Sequence, residues 1–126
     1  MIGAIQSALS GLTAFSTQVA VTADNVANVT TDGFKKSRTE LIAVESGGVR
    51  SAIQKDETAG PTILNNTGYG PAQLELSNVD LGEEAVNRII GQRGFEANIQ
   101  TIKTADEMLG TILDISESSP SLHIRH

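Results

Sequence analysis

Cysteine and tryptophan are absent from the 126 residues, and aromatic side chains make up only 3% of them. Without thiols there are no disulfides and no thiolate metal sites, and cysteine usage leaves the redox compartment open. The only large rings are Phe15, Phe34, Tyr69 and Phe95, and much of the remaining apolar content is Ala, Val and Ile. Large side chains supply most of the free energy of burial. A lone copy is therefore expected to have a thin core and marginal stability. Histidine is confined to His123 and His126 in a polar tail, where no scaffold can hold a base or a metal ligand in place. Positive charge is also scarce. Nine basic residues face fifteen acidic ones, giving a net charge of −6, and Lys35, Lys36 and Arg38 form the one tight basic group. That balance excludes nucleic acid as an expected partner. No apolar run approaches the length of a membrane span, and no charged segment leads into an apolar stretch with a small-residue cleavage site. The expectation is no membrane insertion and, if the chain leaves the cytoplasm, a route without a cleaved signal peptide.

Motifs for chemistry are missing too. Asp24, Glu83, Glu84, Glu96, Asp106 and Glu107 fall at helical positions where a solvent-facing charge is the ordinary reading, and no pair stands in a recognisable apolar setting. Gly68, Gly70 and Pro71 form a turn, but no phosphate-cradling glycine pattern follows. Asn28-Val29-Thr30 and Asn65-Asn66-Thr67 match the glycosylation acceptor pattern, which is too short to carry weight. No catalytic residue, cofactor or metal site is expected, and an enzyme, which would need a buried polar pocket, is not expected given the near-absence of His, Cys and aromatics.

What the sequence does contain is two helical apolar stripes at its ends. Ile2, Ile5, Leu9, Leu12, Ser16, Val19, Ala23 and Val26 recur at alternating steps of three and four, a narrow seam on a helix from 2 to about 28. Leu81, Ala85, Val86, Ile89, Phe95, Ile99, Ile102, Ala105, Leu109 and Ile112 form a broader stripe on a helix from about 80 to 115. The front helix carries Gly3, Gly11, Thr13, Thr17, Val19, Val21 and Thr22, all poor helix formers, so it needs partner helices. Asn28 and the Thr30, Thr31, Asp32, Gly33 cluster end it, with Gly33 at positive φ. Residues 39 to 46 and 49 to 55 flank Gly47-Gly48 as a short hairpin. Thr58 to Asn78 reads as an irregular connector with room for one more strand around Leu74 and Leu76. Asp80 and Glu83 form a capping box for the second helix, with Glu83 and Glu84 complementing its dipole. The predicted fold is mainly α: two long terminal helices pairing as an antiparallel coiled coil, with a short hairpin or irregular segment between them. Its parts are 1–34, an N-terminal helix and turn; 35–78, a central segment; 79–115, a C-terminal helix; and 116–126, a disordered tail.

Four segments are more specific: Asn25-Val26-Ala27-Asn28-Val29-Thr30-Thr31-Asp32-Gly33-Phe34-Lys35, Ser77-Asn78-Val79-Asp80-Leu81, Gln92-Arg93-Gly94-Phe95-Glu96-Ala97-Asn98 and Thr104-Ala105-Asp106-Glu107-Met108-Leu109. Together they resemble the flagellar basal-body rod and hook protein family over about residues 5–38 and 75–115. The first departs from the family pattern at Asp32, where proline is usual, and the third at Gly94, where alanine is usual; Gly94 is expected to loosen the helix. The resemblance implies a structural subunit of the flagellar rod that assembles through its terminal helices into a helical axial tube transmitting motor torque. Its implied partners are copies of itself, other rod and hook proteins and the flagellar type III export apparatus, and its implied location is the periplasm-spanning rod. Hook and distal-rod relatives carry larger inserts between the helices, so the short insert is most similar to the small proximal rod proteins. An acidic helical adaptor or export chaperone of the flagellar system is the alternative, distinguished by a discrete dimer and a cooperative melt.

The residues expected to matter are those of packing and subunit contact. Ile5, Leu9, Leu12 and Val19 on the front stripe, and Ile89, Ile99, Ile102, Leu109 and Ile112 on the back one, serve burial within the chain or between subunits. Gly33 supplies the turn, and Phe34 and Phe95 are packing anchors. Asn25 and Asn28 either bond a neighbouring subunit's backbone or cap their own helix. Gln92 and Arg93 make lateral hydrogen bonds, pair with Glu84, Glu96 or another chain's acid, or lie on a solvated face.

Overall fold

The computed structural model describes residues 2–119. Helix α1 spans Ile2–Ala27 and helix α2 Leu81–Ser118, and between them lie β1 (Ser37–Ala43), β2 (Val49–Lys55), β3 (Thr62–Thr67) and β4 (Gly70–Glu75). Within α1 the Thr13 and Thr17 hydroxyls each donate back to the carbonyl four residues earlier, at 3.1 and 3.0 Å. The helix ends where the Asn28 N–H is shared between the Asp24 and Asn25 carbonyls and Gly33 takes φ 71°. Asp80 caps α2 as expected, accepting from the Gly82 and Glu83 N–H groups at 2.8 and 3.4 Å. The second half of the expected capping box is not made, because the Glu83 carboxylate accepts from Lys36 Nζ at 3.0 Å. The last turn of α2 carries Ser116, Glu117 and Ser118, three residues past the expected helix end, while His123 and His126 lie outside the described residues.

The expected fold is corrected in its middle. In place of one short hairpin or irregular segment there are two separate antiparallel sheets of two strands each, β1-β2 and β3-β4. The first runs in register from Ser37↔Lys55 to Ala43↔Val49, and Gly47 and Gly48 turn it with φ of 101° and 83°. The second runs from Thr62↔Glu75 to Thr67↔Gly70. The Gly, Pro and Asn content of its residues predicts an irregular connector with room for one more strand, not a paired hairpin. Those residues in fact build the turn and an edge: Gly70 has φ 113°, and Pro71 pairs opposite Asn66 in a two-stranded sheet, whose outer side needs no N–H from it.

The β1-β2 sheet packs along α1, whereas β3-β4 touches no other helix or strand. The tip of the first sheet is pinned by Ser10, whose Oγ accepts the Val49 N–H at 3.1 Å and donates to the Ser7 carbonyl at 2.6 Å. The helices run antiparallel, shown by Gly11 against Asn98, Phe15 against Gly94, Val19 against Gly91 and Asn25 against Glu84.

The predicted seam is corrected as well. Between the helices lie Ala8, Gly11, Phe15, Gln18, Thr22 and Asn25 of α1, facing Glu84, Asn87, Gly91, Gly94, Asn98 and Ala105 of α2. These recur at the same three-and-four spacing as the aliphatic stripe of α1, displaced from it by one residue, about 100° around the helix. Small side chains win this position because they let the backbones approach closely. A Cβ at Gly11 would stand 2.6 Å from Asn98 Oδ1, and one at Gly91 would stand 2.9 Å from Val19 Cγ2. Buried hydrophobic residues among those described are only Ala8, Ala14 and Ala105. The thin core is thus realised as a seam of alanine and glycine.

Candidate assembly surface

The displacement of the seam decides where the large apolar side chains go. On α2, Leu81, Val86, Ile89, Ile90, Phe95, Ile99, Met108, Leu109, Ile112, Leu113 and Ile115 are all exposed, Ile115 to 61%. On α1, Leu9 is half exposed and Ile5, Leu12 and Val19 are partly covered, as is Ile102 on α2. Between the helices, Ser16, Val19, Arg88, Gln92 and Phe95 line an open apolar groove of about 410 Å³. Near the start of α1, Ala4, Ala97, Thr101, Ala105 and Met108 line another, of about 510 Å³. Opposite-end pairing also leaves the last turns of α2 beyond the start of α1, since Gly11 already faces Asn98.

The two ends of the chain are tied to each other by polar groups. Asn25, 1% exposed, donates through Nδ2 to the Ser37 carbonyl at 2.7 Å and to Glu84 Oε1 at 3.0 Å, and its Oδ1 accepts the Ser37 N–H at 3.0 Å. Asn78 does the same from the other side. Its Oδ1 accepts the Lys36 N–H at 2.7 Å, its Nδ2 donates to the Asp56 and Thr58 carbonyls at 2.9 Å each, and its N–H donates to the Phe34 carbonyl at 3.2 Å. The Gly33 N–H reaches the Glu75 carbonyl at 2.9 Å, and Lys35 bonds both the Glu75 carboxylate and the Thr58 carbonyl. The segment after α1 and the segment before α2 thus form one junction.

Charge at this junction follows from the same contacts. The Glu83 hydrogen bond holds the Lys36 ammonium above its usual range. Thr58 lowers the Asp56 carboxyl, and the Lys35 ammonium lowers that of Glu75. Burial pushes the Glu84 carboxyl up, opposed first by Asn25 and helped by the charge of Glu83. Glu84 corrects the sequence reading, which gave it to solvent: it is 2% exposed. Its position was legible in the seven-residue spacing of Glu84, Gly91, Asn98 and Ala105, a stripe hidden by attention to large aliphatics.

The remaining expected residues fall in three places. Asn28 bonds within its own chain, donating from Nδ2 to the Asp24 carbonyl at 2.9 Å and accepting from Thr31. Gln92 and Arg93 lie on the exposed face of α2 and both reach Glu96 at 3.2 Å. Gly33 is exposed at its turn, and Phe34 is half-buried beside the junction. Gly94 is corrected in role: it does not loosen the helix but seats the Phe15 ring, whose Cε1 would lie 2.5 Å from a Cβ there.

Terminal helices joined to each other through small and polar residues, and bare along their aliphatic sides, define a chain of the structural, helix-presenting class. Residues 5–35 match the family described as "Flagella basal body rod protein", and residues 72–115 match "Flagellar basal body rod FlgEFG protein C-terminal". The flagellar hook protein FlgE of Escherichia coli K12 is 40% identical over 82 residues, 60% of this chain and 20% of that protein. The hook protein FlgE of Treponema pallidum is 34% identical over 77 residues, 57% of this chain and 17% of that one. The flagellar basal-body rod protein FlgG of Bacillus subtilis is 35% identical over 86 residues, 67% of this chain and 30% of that one. The chain belongs to the flagellar rod and hook family. It spans between about a sixth and a third of the length of these relatives.

Proposed function

We propose that the chain is a structural subunit of the flagellar axial assembly, polymerising with copies of itself and with other rod and hook proteins. The exposed aliphatic stripes of α1 and α2 are its joining surfaces. One observation carries this reading: the seam within the chain is built from Ala, Gly and polar residues, and the large aliphatic side chains of α2 are left outside. At about 25 cal/mol per Å², that surface is worth burying and has no cover in a single copy. The periplasm-spanning rod is the location that fits, with entry through the flagellar type III export apparatus. A tube of such subunits transmits motor torque through many shared helix contacts.

The test is polymerisation of the purified full chain, followed by sedimentation and electron microscopy as concentration rises. Ile99→Asp and Ile112→Asp change exposed positions, so the single copy is expected to keep its helical circular dichroism while losing polymer. Polymer of normal yield from both variants rejects these stripes as the joining surface. In cells, deletion of residues 2–28 is expected to abolish the axial structure in isolated basal bodies.

A further inference from the structure

The β3-β4 hairpin is an anchored arm with an uncovered tip. Its root is held in the junction, where the Leu76 N–H donates to the Pro61 carbonyl at 2.7 Å and the Gly60 N–H to Glu75 Oε1 at 3.0 Å. From that root two strands of six residues carry the Gly68-Tyr69 turn about 20 Å away. Neither strand touches another helix or strand. A two-stranded hairpin is marginal by itself, so one that stands clear of its own chain gains from cover elsewhere. Although 19% of the chain is charged, no charged residue occurs from Pro61 to Leu74. At the tip Tyr69 is fully exposed, and a Cβ added to either flanking glycine, Gly68 or Gly70, would meet nothing. Loss of charge around one open aromatic side chain is the composition of an interface centre.

A site with matching chemistry lies between the helices. The open groove of about 410 Å³ has Val19 and Phe95 among its walls and Arg88 as its one charged lining residue. Arg88 is exposed and has no ion pair among the described residues. A guanidinium attracts the negative face of an aromatic ring, and Phe95 offers a second ring to pack against. Gln92 commits its amide nitrogen to Glu96 at 3.2 Å, which leaves its carbonyl oxygen for a phenol O–H. Two other hollows match less well. The one beside the junction is lined by Asp56, Asp80 and the already paired Lys36, and carboxylates repel a ring face. The groove beside Met108 carries no charge at all.

We propose that the groove receives Tyr69 from the hairpin of a second copy of this chain, its ring set between the Arg88 guanidinium and Phe95. The inference rests on the self-assembly reading and names one contact within it. An uncharged arm approaches a partner of net charge −6 without like-charge repulsion, and the cation it meets is one that the partner leaves unpaired. Tip and groove are different patches, and a copy's own hairpin touches neither of its helices. Each copy that fills one groove thus offers its own groove to another. Such a head-to-tail contact extends into a helix when its rotation does not close.

The absence of cysteine makes the test direct. Full-length Tyr69→Cys is mixed with Gln92→Cys, on the proposed groove, and separately with Gln100→Cys, on the groove beside Met108. Both mixtures meet a short bismaleimide in polymerising conditions, and polymer is measured in the same samples by sedimentation. The expected result is a crosslink to Gln92→Cys in clear excess over that to Gln100→Cys and over any variant crosslinked alone. Normal polymer without that excess removes the Tyr69 contact and leaves the assembly reading standing. A wild-type chain that never polymerises removes both. Tyr69→Ala and Arg88→Gln give an independent reading. Both residues are exposed, so each variant is expected to keep the circular dichroism of a single copy. Each is expected to raise the concentration needed for polymer about tenfold, with the double variant no worse than either single one. Unchanged polymerisation of Tyr69→Ala, or losses that add in the double variant, overturn the pairing.

Discussion

The Phe15 ring lies against the backbone of Gly94, so close that a methyl group added there would stand 2.5 Å from two ring carbons. This contact fixes the spacing of the two terminal helices at their middle. Gly94→Ala gains about 1 kcal/mol of helix propensity. It also forces the ring aside, at a cost of about 1–3 kcal/mol. The substitution is therefore expected to lower stability in the native background and to raise it in Phe15→Ala, where the ring is gone. A thermal melt of the four chains reads the reversal, and the same sign in both backgrounds rejects the contact as the reason for glycine.

Asn25 holds three partners at once, the Ser37 N–H, the Ser37 carbonyl and Glu84 Oε1. Asn25→Ala leaves all three in a buried site, and each unpaired polar group there costs about 1–3 kcal/mol. The expected loss is about 2–4 kcal/mol once partial relaxation is allowed. That is enough to unfold a marginal chain. Asn25→Asp keeps the acceptor but sets a second carboxylate on Glu84. Its loss is expected to shrink as pH falls and protonation relieves the repulsion, whereas the alanine loss stays. Urea titrations at two pH values distinguish the two variants.

Glu84 gives stability a pH dependence of unusual sign. Its folded carboxyl titrates above the ordinary range because of burial, with Asn25, Thr22 and Lys36 opposing and Glu83 assisting. A raised carboxyl means that the folded chain binds the proton more tightly than the unfolded one. Its contribution is therefore fully present below the unfolded value and is lost as pH rises through the raised folded value. Asp56 and Glu75 run the other way. Their carboxyls are lowered, so they stabilise above the ordinary carboxylate range and that contribution is lost as pH falls through their folded values. Glu84→Gln is expected to remove the loss of stability as pH rises above the ordinary carboxylate range and to leave the acid limb in place. An unchanged profile rejects Glu84 as its source.

The element types at the two ends were legible because helix period and turn chemistry act locally. Gly33, Gly47 and Asp80 fall where a positive φ or a cap is required, and the sequence signals them without tertiary knowledge. The seam was not legible by hydrophobicity. Ile5, Leu9 and Leu12 satisfy the coiled-coil spacing, but Ala8, Gly11 and Phe15 satisfy it one step away, and close backbone approach selects the second set. The same choice hid Glu84, which shares the seven-residue spacing of Gly91, Asn98 and Ala105 and bonds Asn25, 59 residues earlier. The β3-β4 hairpin escaped because no helix covers it, so its strands lack the buried alternation that marks a half-covered sheet.

Arg93 separates folding from assembly. It lies 78% exposed and meets Glu96 at 3.2 Å across three residues of α2. Exposed pairs of this kind contribute about 0.2–0.5 kcal/mol, so Arg93→Glu has little to lose within one copy beyond mild repulsion from Glu96. Its melting temperature is expected to stay within about 3 °C of the parent chain. In the assembly the same change sets a negative charge on a surface proposed to join copies of a chain whose net charge is already −6, where like charges brought together oppose docking. Polymer yield at fixed concentration is expected to fall, most strongly at low salt, and to recover partly as salt screens the repulsion. A variant that polymerises normally at low salt removes Arg93 from the joining surface without touching the role of the aliphatic stripes.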